Sequence, residues 1–240
     1  MIRGFIASLL LSAVAFTAQQ PPKNRTDSAT VSAGISKDQL IAEQQLKDIM
    51  SKAELALKAG KTHDALKEYR AAVEMVRKNS TLGAQKKLTL FRGGDGIAGA
   101  GHPAEAIPIF EELLQIERNC EPPNIDPQSC AGDQQALGLA KLATGDLTGA
   151  VCQLRSAKST YARAGQGRMI ELRRAQTDLW IGVALFRLGN SGDAEAAVQG
   201  AIPHLVAIQQ DNSVTTPARG EAADFLAQAQ ALLSRIRSAR

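Results

Sequence analysis

The stretch "ALFRLGNSGDAEAAV", residues 184–198, has the pattern of one helix that ends at a glycine and a second helix that begins directly after it. Gly189 tolerates the positive φ that often closes a helix. Asn190, with Asp193 three residues further on, supplies an N-cap for the second helix. Two helices joined by so short a break form an antiparallel hairpin. The stretch therefore predicts a helix-turn-helix unit.

The same pattern occurs three more times, in "LALKAGKTHDALKEY" (55–69), "GIAGAGHPAEAIPIF" (96–110) and "AKLATGDLTGAVCQL" (140–154). Successive turn glycines are 41, 44 and 44 residues apart. Each is preceded by a small residue seven positions earlier and followed by alanine after five positions and by a large apolar residue after nine. The small residues allow two helices to approach closely, and the large residue fills the groove beside the contact. The small residues are Ala53, Gly94, Gly138 and Gly182, and the turn glycines are Gly60, Gly101, Gly145 and Gly189. The alanines are Ala65, Ala106, Ala150 and Ala194, and the large apolar residues are Tyr69, Phe110, Leu154 and Val198.

This register predicts an all-α, right-handed α-solenoid of about four helix-turn-helix repeats, residues 37–211, closed by a C-terminal capping helix within 212–240. The composition agrees, since 44% of the 240 residues are hydrophobic but only 4% are aromatic. The last segment has one apolar and one charged face, as a terminal cap requires. Ser36 and Gln39 form a candidate capping box. We expect helices at 37–59, 62–79, 83–100, 103–119, 131–144, 147–164, 168–188, 191–211 and 217–238.

The repeat resembles the tetratricopeptide repeat (TPR) in its long-period variety, seen in kinesin light chains. The resemblance covers roughly residues 40–211, and "AIPIFEELLQIERN" (106–119) is similar to the second helix of those repeats. Two features depart from the pattern: Lys141 stands where a bulky apolar residue is usual, and the early tryptophan of the first helix is missing.

The resemblance implies a binding protein without a cofactor, because the first helices of such arrays line a concave groove for a protein or peptide partner. The Lys and Asn pattern of chaperone-binding members is absent. The groove-facing positions that the resemblance implies are Glu54, Leu57, Phe91, Asp95, Gln135, Leu139, Leu179, Val183 and Phe186.

The N-terminus has the features of a secretory signal peptide over residues 1–18. Arg3 gives a short positive region, residues 4–15 an apolar run of about a dozen, and Ala15 or Ala18 a cleavage site. The alternative is an uncleaved membrane anchor, although the run is shorter than the ~20 residues of a membrane-spanning helix. Residues 19–36 are polar and lack periodicity, which predicts a disordered linker. We expect an exported protein, periplasmic or secreted, with membrane contact only if this segment is uncleaved.

Gly94-x-Gly96-x-x-Gly99 has the spacing of a dinucleotide-binding turn. That motif requires alternating strands and helices, which the pattern does not show. Gly94 and Gly101 are explained by the repeat, so helix packing is the preferred interpretation. The additional glycines predict that this is the weakest first helix, since each costs about 1 kcal/mol relative to alanine.

No constellation of a known enzyme class stands out. His63, His102 and His204 are far apart, so capping or solvation is preferred to a metal site. The net charge of +4 is too small and too scattered for nucleic-acid binding. The basic group Arg163, Arg168, Arg173 and Arg174 could recognise an acidic partner, but a solvated turn is preferred; Trp180 is assigned to the core.

Export favours a disulfide, and three cysteines allow three pairings. Cys120 and Cys130 fall at the same end of the predicted stack. Cys152 lies at the opposite end of a helix, about 20 Å away, whereas a bridge needs Cα atoms within about 7 Å. We therefore predict a bridge between Cys120 and Cys130; three free thiols are expected if the chain stays in a reducing cytosol.

The sequence thus favours a scaffold or adaptor, not an enzyme, that holds a protein or peptide partner in its groove. The alternative is a carrier or sensor that binds a small apolar or glycan ligand in the same groove. The identity of the partner is not encoded in any motif.

Overall fold

The computed structural model describes residues 36–117 and 126–239, and within them the chain forms nine α-helices and no β-strand. The predicted signal peptide, linker residues 19–35 and Cys120 lie outside the described residues. The all-α prediction is confirmed. The helices are α1 (Lys37–Lys58), α2 (Thr62–Lys78), α3 (Gly83–Gly99), α4 (Pro103–Ile116), α5 (Pro127–Thr144), α6 (Leu147–Arg163), α7 (Arg168–Arg187), α8 (Ser191–Gln210) and α9 (Thr216–Ser238), with a 3-10 turn at Ser80–Leu82.

The four turn glycines have the backbone conformation that the repeat predicts. Gly60, Gly101, Gly145 and Gly189 have φ values of 71°, 94°, 91° and 82°, in the left-handed region that side chains with a Cβ rarely adopt. Each therefore ends a first helix and lets the chain reverse into the second.

The helix starts follow the predicted capping residues, with one error. The Ser36 hydroxyl accepts a hydrogen bond from the Gln39 backbone N–H at 3.1 Å. The Gln39 amide donates to Glu43 rather than returning to Ser36, so only half of the capping box forms. The predicted start of α5 at 131 is wrong: α5 begins at Pro127, with the Asp126 carboxylate accepting from the next two backbone N–H groups. Asp at the N-cap and Pro at the first helical position are strong start signals that lie outside the periodic pattern.

The chain divides into two compact units at Ile109 and Phe110, inside α4. In the first unit, α1 packs on α2 and α2 on α3. The additional glycines of α3 serve this second contact. A Cβ on Gly93 would lie 2.5 Å from Val73 Cγ2, and a Cβ on Gly96 would overlap the Tyr69 ring. Glycine is thus required because the α3 backbone packs directly against the Val73 and Tyr69 side chains of α2.

In the second unit, α5 packs on α6, α6 on α7, α7 on α8, and α9 on both α7 and α8. The predicted small-to-large contacts form in both hairpins. A Cβ on Gly138 would lie 2.8 Å from Leu154, and one on Gly182 would lie 2.5 Å from Val198. Trp180 is buried, as predicted, and meets Phe225 of α9 edge to face at 6.2 Å. The last helix therefore closes this core as the expected cap.

Lys141, which departs from the repeat pattern, is accommodated by two carboxylates. Its ammonium group lies 3.6 Å from Glu111 and 3.8 Å from Asp146, and 19% of its side chain is exposed. The alkyl stem of a lysine can cover apolar surface while the charge stays near water. An apolar residue is therefore not required at this position.

Candidate functional site

One repeat position stays half-buried in all four first helices. It is occupied by Glu54, Asp95, Leu139 and Val183, which are separated by the same 41, 44 and 44 residues as the turn glycines. A side chain that is neither in the core nor fully solvated is available to a ligand at a modest desolvation cost. The position is acidic in the first unit and aliphatic in the second, so the two units offer different chemistry.

In the first unit, this position belongs to a polar cluster between α1, α2 and α3. Arg92 of α3 forms an ion pair with Glu54 of α1. Burial, together with the carboxylates of Glu54 and Asp95, raises the pKa of Tyr69 to about 12, while Arg92 opposes the shift. The Tyr69 hydroxyl therefore stays neutral and sits in a negative local potential.

Asp95 is the most perturbed acid of this cluster. Burial raises its pKa from 3.8 to about 6. The neighbouring cation Arg92 is engaged by Glu54, so the desolvated carboxylate is not compensated by a dedicated charge partner. A cationic or hydrogen-bond-donating group of a ligand would therefore gain from contact with Asp95.

Leu57 and Phe91, the other positions assigned to this part of the groove, are half-buried. A Cβ on Gly99 would lie 3.8 Å from Leu57 Cδ2, so the leucine rests against the end of α3. The first unit thus combines two partly exposed apolar side chains with the polar cluster that contains Asp95.

In the second unit, the half-buried residues are Leu139 of α5 with Val183 and Phe186 of α7. The guanidinium of Arg235 in α9 lies over the Phe186 ring, 5.8 Å from its centroid. Gln135 accepts a hydrogen bond from the Tyr161 hydroxyl at 3.0 Å. This part of the surface is mainly apolar, with one amide and one cation at its border.

The assignment of Leu179 to the groove is wrong. Only 1% of this residue is exposed, so its side chain belongs to the core and cannot reach a ligand. The physical reason is that α7 packs against three helices, α6, α8 and α9. A repeat position that is half-buried in one hairpin, as at Phe91, is therefore fully covered in another.

The structure also shows a partly buried polar cluster that the sequence did not predict. Arg173 donates to Glu221 at 2.8 Å and to Gln176 at 2.9 Å, and the Gln176 amide donates to the same Glu221 oxygen at 2.8 Å. The Arg173 and Glu221 side chains are 14% and 18% exposed. The available signal was the run "QTD" at 176–178, three polar residues inside a helix flanked by apolar residues.

The arginines around the start of α7 form contacts mainly with other residues of the same chain. Arg168 contacts Glu171 and Asp211, each at 2.7 Å, and Arg163 donates to the Thr160 hydroxyl. Together with the ion pair of Arg173, these contacts favour an internal structural role over recognition of an acidic partner.

The histidines lie on the surface, and the glycine motif lies within a helix. His63, His102 and His204 are exposed, and His102 Nδ1 lies 2.9 Å from Glu105. The described residues contain no group of three or more His, Cys, Asp or Glu that could hold a metal ion. The motif that includes Gly96 lies inside α3 and packs on α2 instead of opening a helix after a strand.

The cysteines differ in their environments. Cys130 is fully buried in α5, whereas Cys152 of α6 is an exposed free thiol. Cys120 lies outside the described residues, so its pairing with Cys130 stays a prediction. Within the described part of the chain, no helix combines the length and the apolar character needed to cross a membrane.

Comparison with solved structures identifies the class of fold. A putative kinesin light chain with nearly identical TPR-like repeats from Podosopora anserina is 17% identical, with 81% of this chain and 94% of that chain covered and a TM-score of 0.54. BtubC (BKLC) from P. vanneervenii is 18% identical, with coverages of 84% and 83% and a TM-score of 0.55. The fold is thus a TPR-like α-solenoid, which confirms the predicted architecture. No protein-family model and no curated protein matches the chain.

Proposed function

We propose that the protein is an exported scaffold that binds a protein or peptide partner along the first helices of its repeats. The observation that carries the proposal is the repeat position that stays half-buried in all four first helices, at Glu54, Asp95, Leu139 and Val183. Export is supported by the signal-peptide pattern of the first 18 residues. The protein acts by binding rather than by catalysis.

The chemistry of the two units defines the partner further. Leu139 and Val183 offer aliphatic contacts, and Phe186 adds an aromatic face. Asp95, whose carboxylate is desolvated, favours a cationic or donor group. We therefore expect a partner segment that carries both apolar side chains and lysine or arginine.

The test is capture of the partner by the purified protein from an extract of the cell envelope and from the culture fluid. The Leu139→Asp and Val183→Asp variants should each fail to bind the partner. The introduced carboxylate would have to be desolvated against the apolar side chains of the partner. Leu188→Asp is the matched control, since Leu188 is 46% exposed in the same unit but lies outside the repeat position. Binding that survives both substitutions would contradict the proposal.

Native mass spectrometry of the purified protein separates this function from the alternative of a carrier. A retained small-molecule mass that both aspartate variants lose would favour a ligand carrier. Export is tested independently by sequencing the N-terminus of the mature protein, which should begin after Ala15 or Ala18.

A further inference from the structure

The face of α1 that points away from α2 carries an exposed stripe. Six residues share this face at helical spacing, and we call them the outer stripe. Leu55 is 67% exposed and Ile41 is 47% exposed, which are high values for large apolar side chains. The outer stripe consists of Ile41, Gln44, Gln45, Asp48, Lys52 and Leu55, all exposed.

Three of these positions are covered in the later first helices. Asp48 corresponds to Thr89, Asp133 and Thr177; Lys52 to Gly93, Leu137 and Ile181; and Leu55 to Gly96, Ala140 and Ala184, all of which are buried. In α3 the cover is α2, which Gly93 and Gly96 touch. In α7 the preceding helix α6 packs alongside. The outer stripe is therefore the surface that a neighbouring helix covers elsewhere in the repeat.

The size of Leu55 excludes that a further repeat of the same geometry covers the outer stripe. The later first helices have only glycine or alanine at this position. A Cβ on Gly96 would already overlap the Tyr69 ring, so a leucine there cannot be accommodated. A helix that covers Leu55 must stand farther away, at the 8–10 Å of ordinary side-chain packing.

The C-terminal helix α9 does not offer a matching apolar surface. None of the large exposed apolar side chains lies in α9, which is described over its full length. Its exposed positions include Gly220, Asp224 and Ser234. A contact between α1 of one copy and α9 of another would bury Leu55 against a mainly polar face, whereas a contact of the outer stripe with itself brings Leu55 near Ile41 and opposite charges together.

We propose that the outer stripe is a self-complementary surface on which α1 of a second copy packs antiparallel. The two-fold axis then crosses α1 at the height of position 50. Asp48 of each copy faces Lys52 of the other, which makes two symmetric ion pairs. Leu55 then packs against Gln45 and, one turn further, Ile41 of the other copy. The contact involves one helix face, at the low end of interface sizes below about 1,200 Å², so the dimer is weak and reversible.

The experiment is sedimentation velocity of the purified protein over a concentration series from about 10 µM to 1 mM, the range of weak association. The wild-type protein should shift from monomer to dimer. Leu55→Asp should weaken the association at least tenfold, while its circular dichroism stays unchanged because Leu55 is exposed. Leu88→Asp is the control: Leu88 of α3 is 57% exposed in the same unit but lies off the outer stripe, so dimerisation should be retained.

Charge exchange tests the antiparallel register. Asp48→Lys and Lys52→Asp alone should each weaken the dimer, because each places like charges opposite one another. The double variant D48K/K52D restores both pairs and should restore dimerisation. A protein that is monomeric throughout the series overturns the proposal, whether the stripe is solvated or covered by residues 1–35. Equal loss in Leu55→Asp and Leu88→Asp, or a double variant no better than the single ones, also overturns it.

Discussion

Asp95→Asn should stabilise the protein at neutral pH. The folded protein raises the pKa of this carboxyl from 3.8 to about 6, and the cause is burial. Ionising Asp95 therefore costs more in the folded than in the unfolded state. The amide of asparagine has nearly the same size but no charge to desolvate, so it removes this cost.

The magnitude and its pH dependence follow from linkage. The full difference in pKa corresponds to about 3 kcal/mol, and partial exposure of the residue reduces it, so we expect about 1–3 kcal/mol. Between about pH 4 and pH 6 the folded state holds the proton more tightly than the unfolded state. The stability of the wild-type protein should therefore fall as pH rises through this window and stay low above it. The benefit of Asp95→Asn should be full above about pH 6 and vanish below about pH 4.

The assay is urea unfolding followed by circular dichroism at a series of pH values from about 4 to 8, with equal slopes checked before free energies are compared. Asp64→Asn is the matched control, since Asp64 is exposed on α2 of the same unit and should give no gain at any pH. A stability gain that does not depend on pH, or a loss above pH 6, would refute the reasoning.

Three further predictions concern packing, local stability and the disulfide. Gly96→Ala should lower the free energy of unfolding by about 1–3 kcal/mol because the added methyl overlaps Tyr69, whereas Gly99→Ala, whose Cβ fits 3.8 Å from its neighbour, should raise it by up to about 1 kcal/mol in the same urea assay. Amide hydrogen exchange should be faster in α3 than in α5, and better protection of α3 would contradict the expected weakness of a glycine-rich helix. Alkylation of the unreduced native protein should label Cys152 alone; label on Cys120 or Cys130 would contradict a bridge that should contribute about 2–3 kcal/mol.

The parts of the fold that the sequence predicts well are those set within one repeat. The turn glycines and the small-to-large contacts of Gly138 and Gly182 depend on residues fewer than twenty positions apart, and the fixed period repeats them. The error at Pro127 is also local, since the start signals were present but lay outside the periodic pattern. Local chemistry of this kind can be interpreted without knowledge of the rest of the chain.

The candidate site is less predictable because its exposure depends on residues from other repeats. Arg173 and Glu221 are 48 positions apart, and no periodicity indicates that they form a partly buried ion pair. The assignment of Leu179 to the groove is wrong for the same reason. The helices that pack on α7 are α6, α8 and α9, and they come from other parts of the sequence. A repeat register therefore predicts which side chains are equivalent but not which of the equivalents remain accessible.

The repeat position that is occupied by Leu55 in α1 and by Gly96 in α3 does carry information about the neighbouring helix. Its occupant is glycine in α3 and alanine in α7, where the preceding helices α2 and α6 pack alongside, and leucine in α1, where the side chain is 67% exposed. The size of the residue at this position thus reports the distance of the preceding helix, because a Cβ and its substituents must fit between two backbones. The position occupied by Asp95 and Leu139 behaves differently. It carries acidic and aliphatic residues at similar burial. Steric demand therefore fixes the first position, while the second is free to vary.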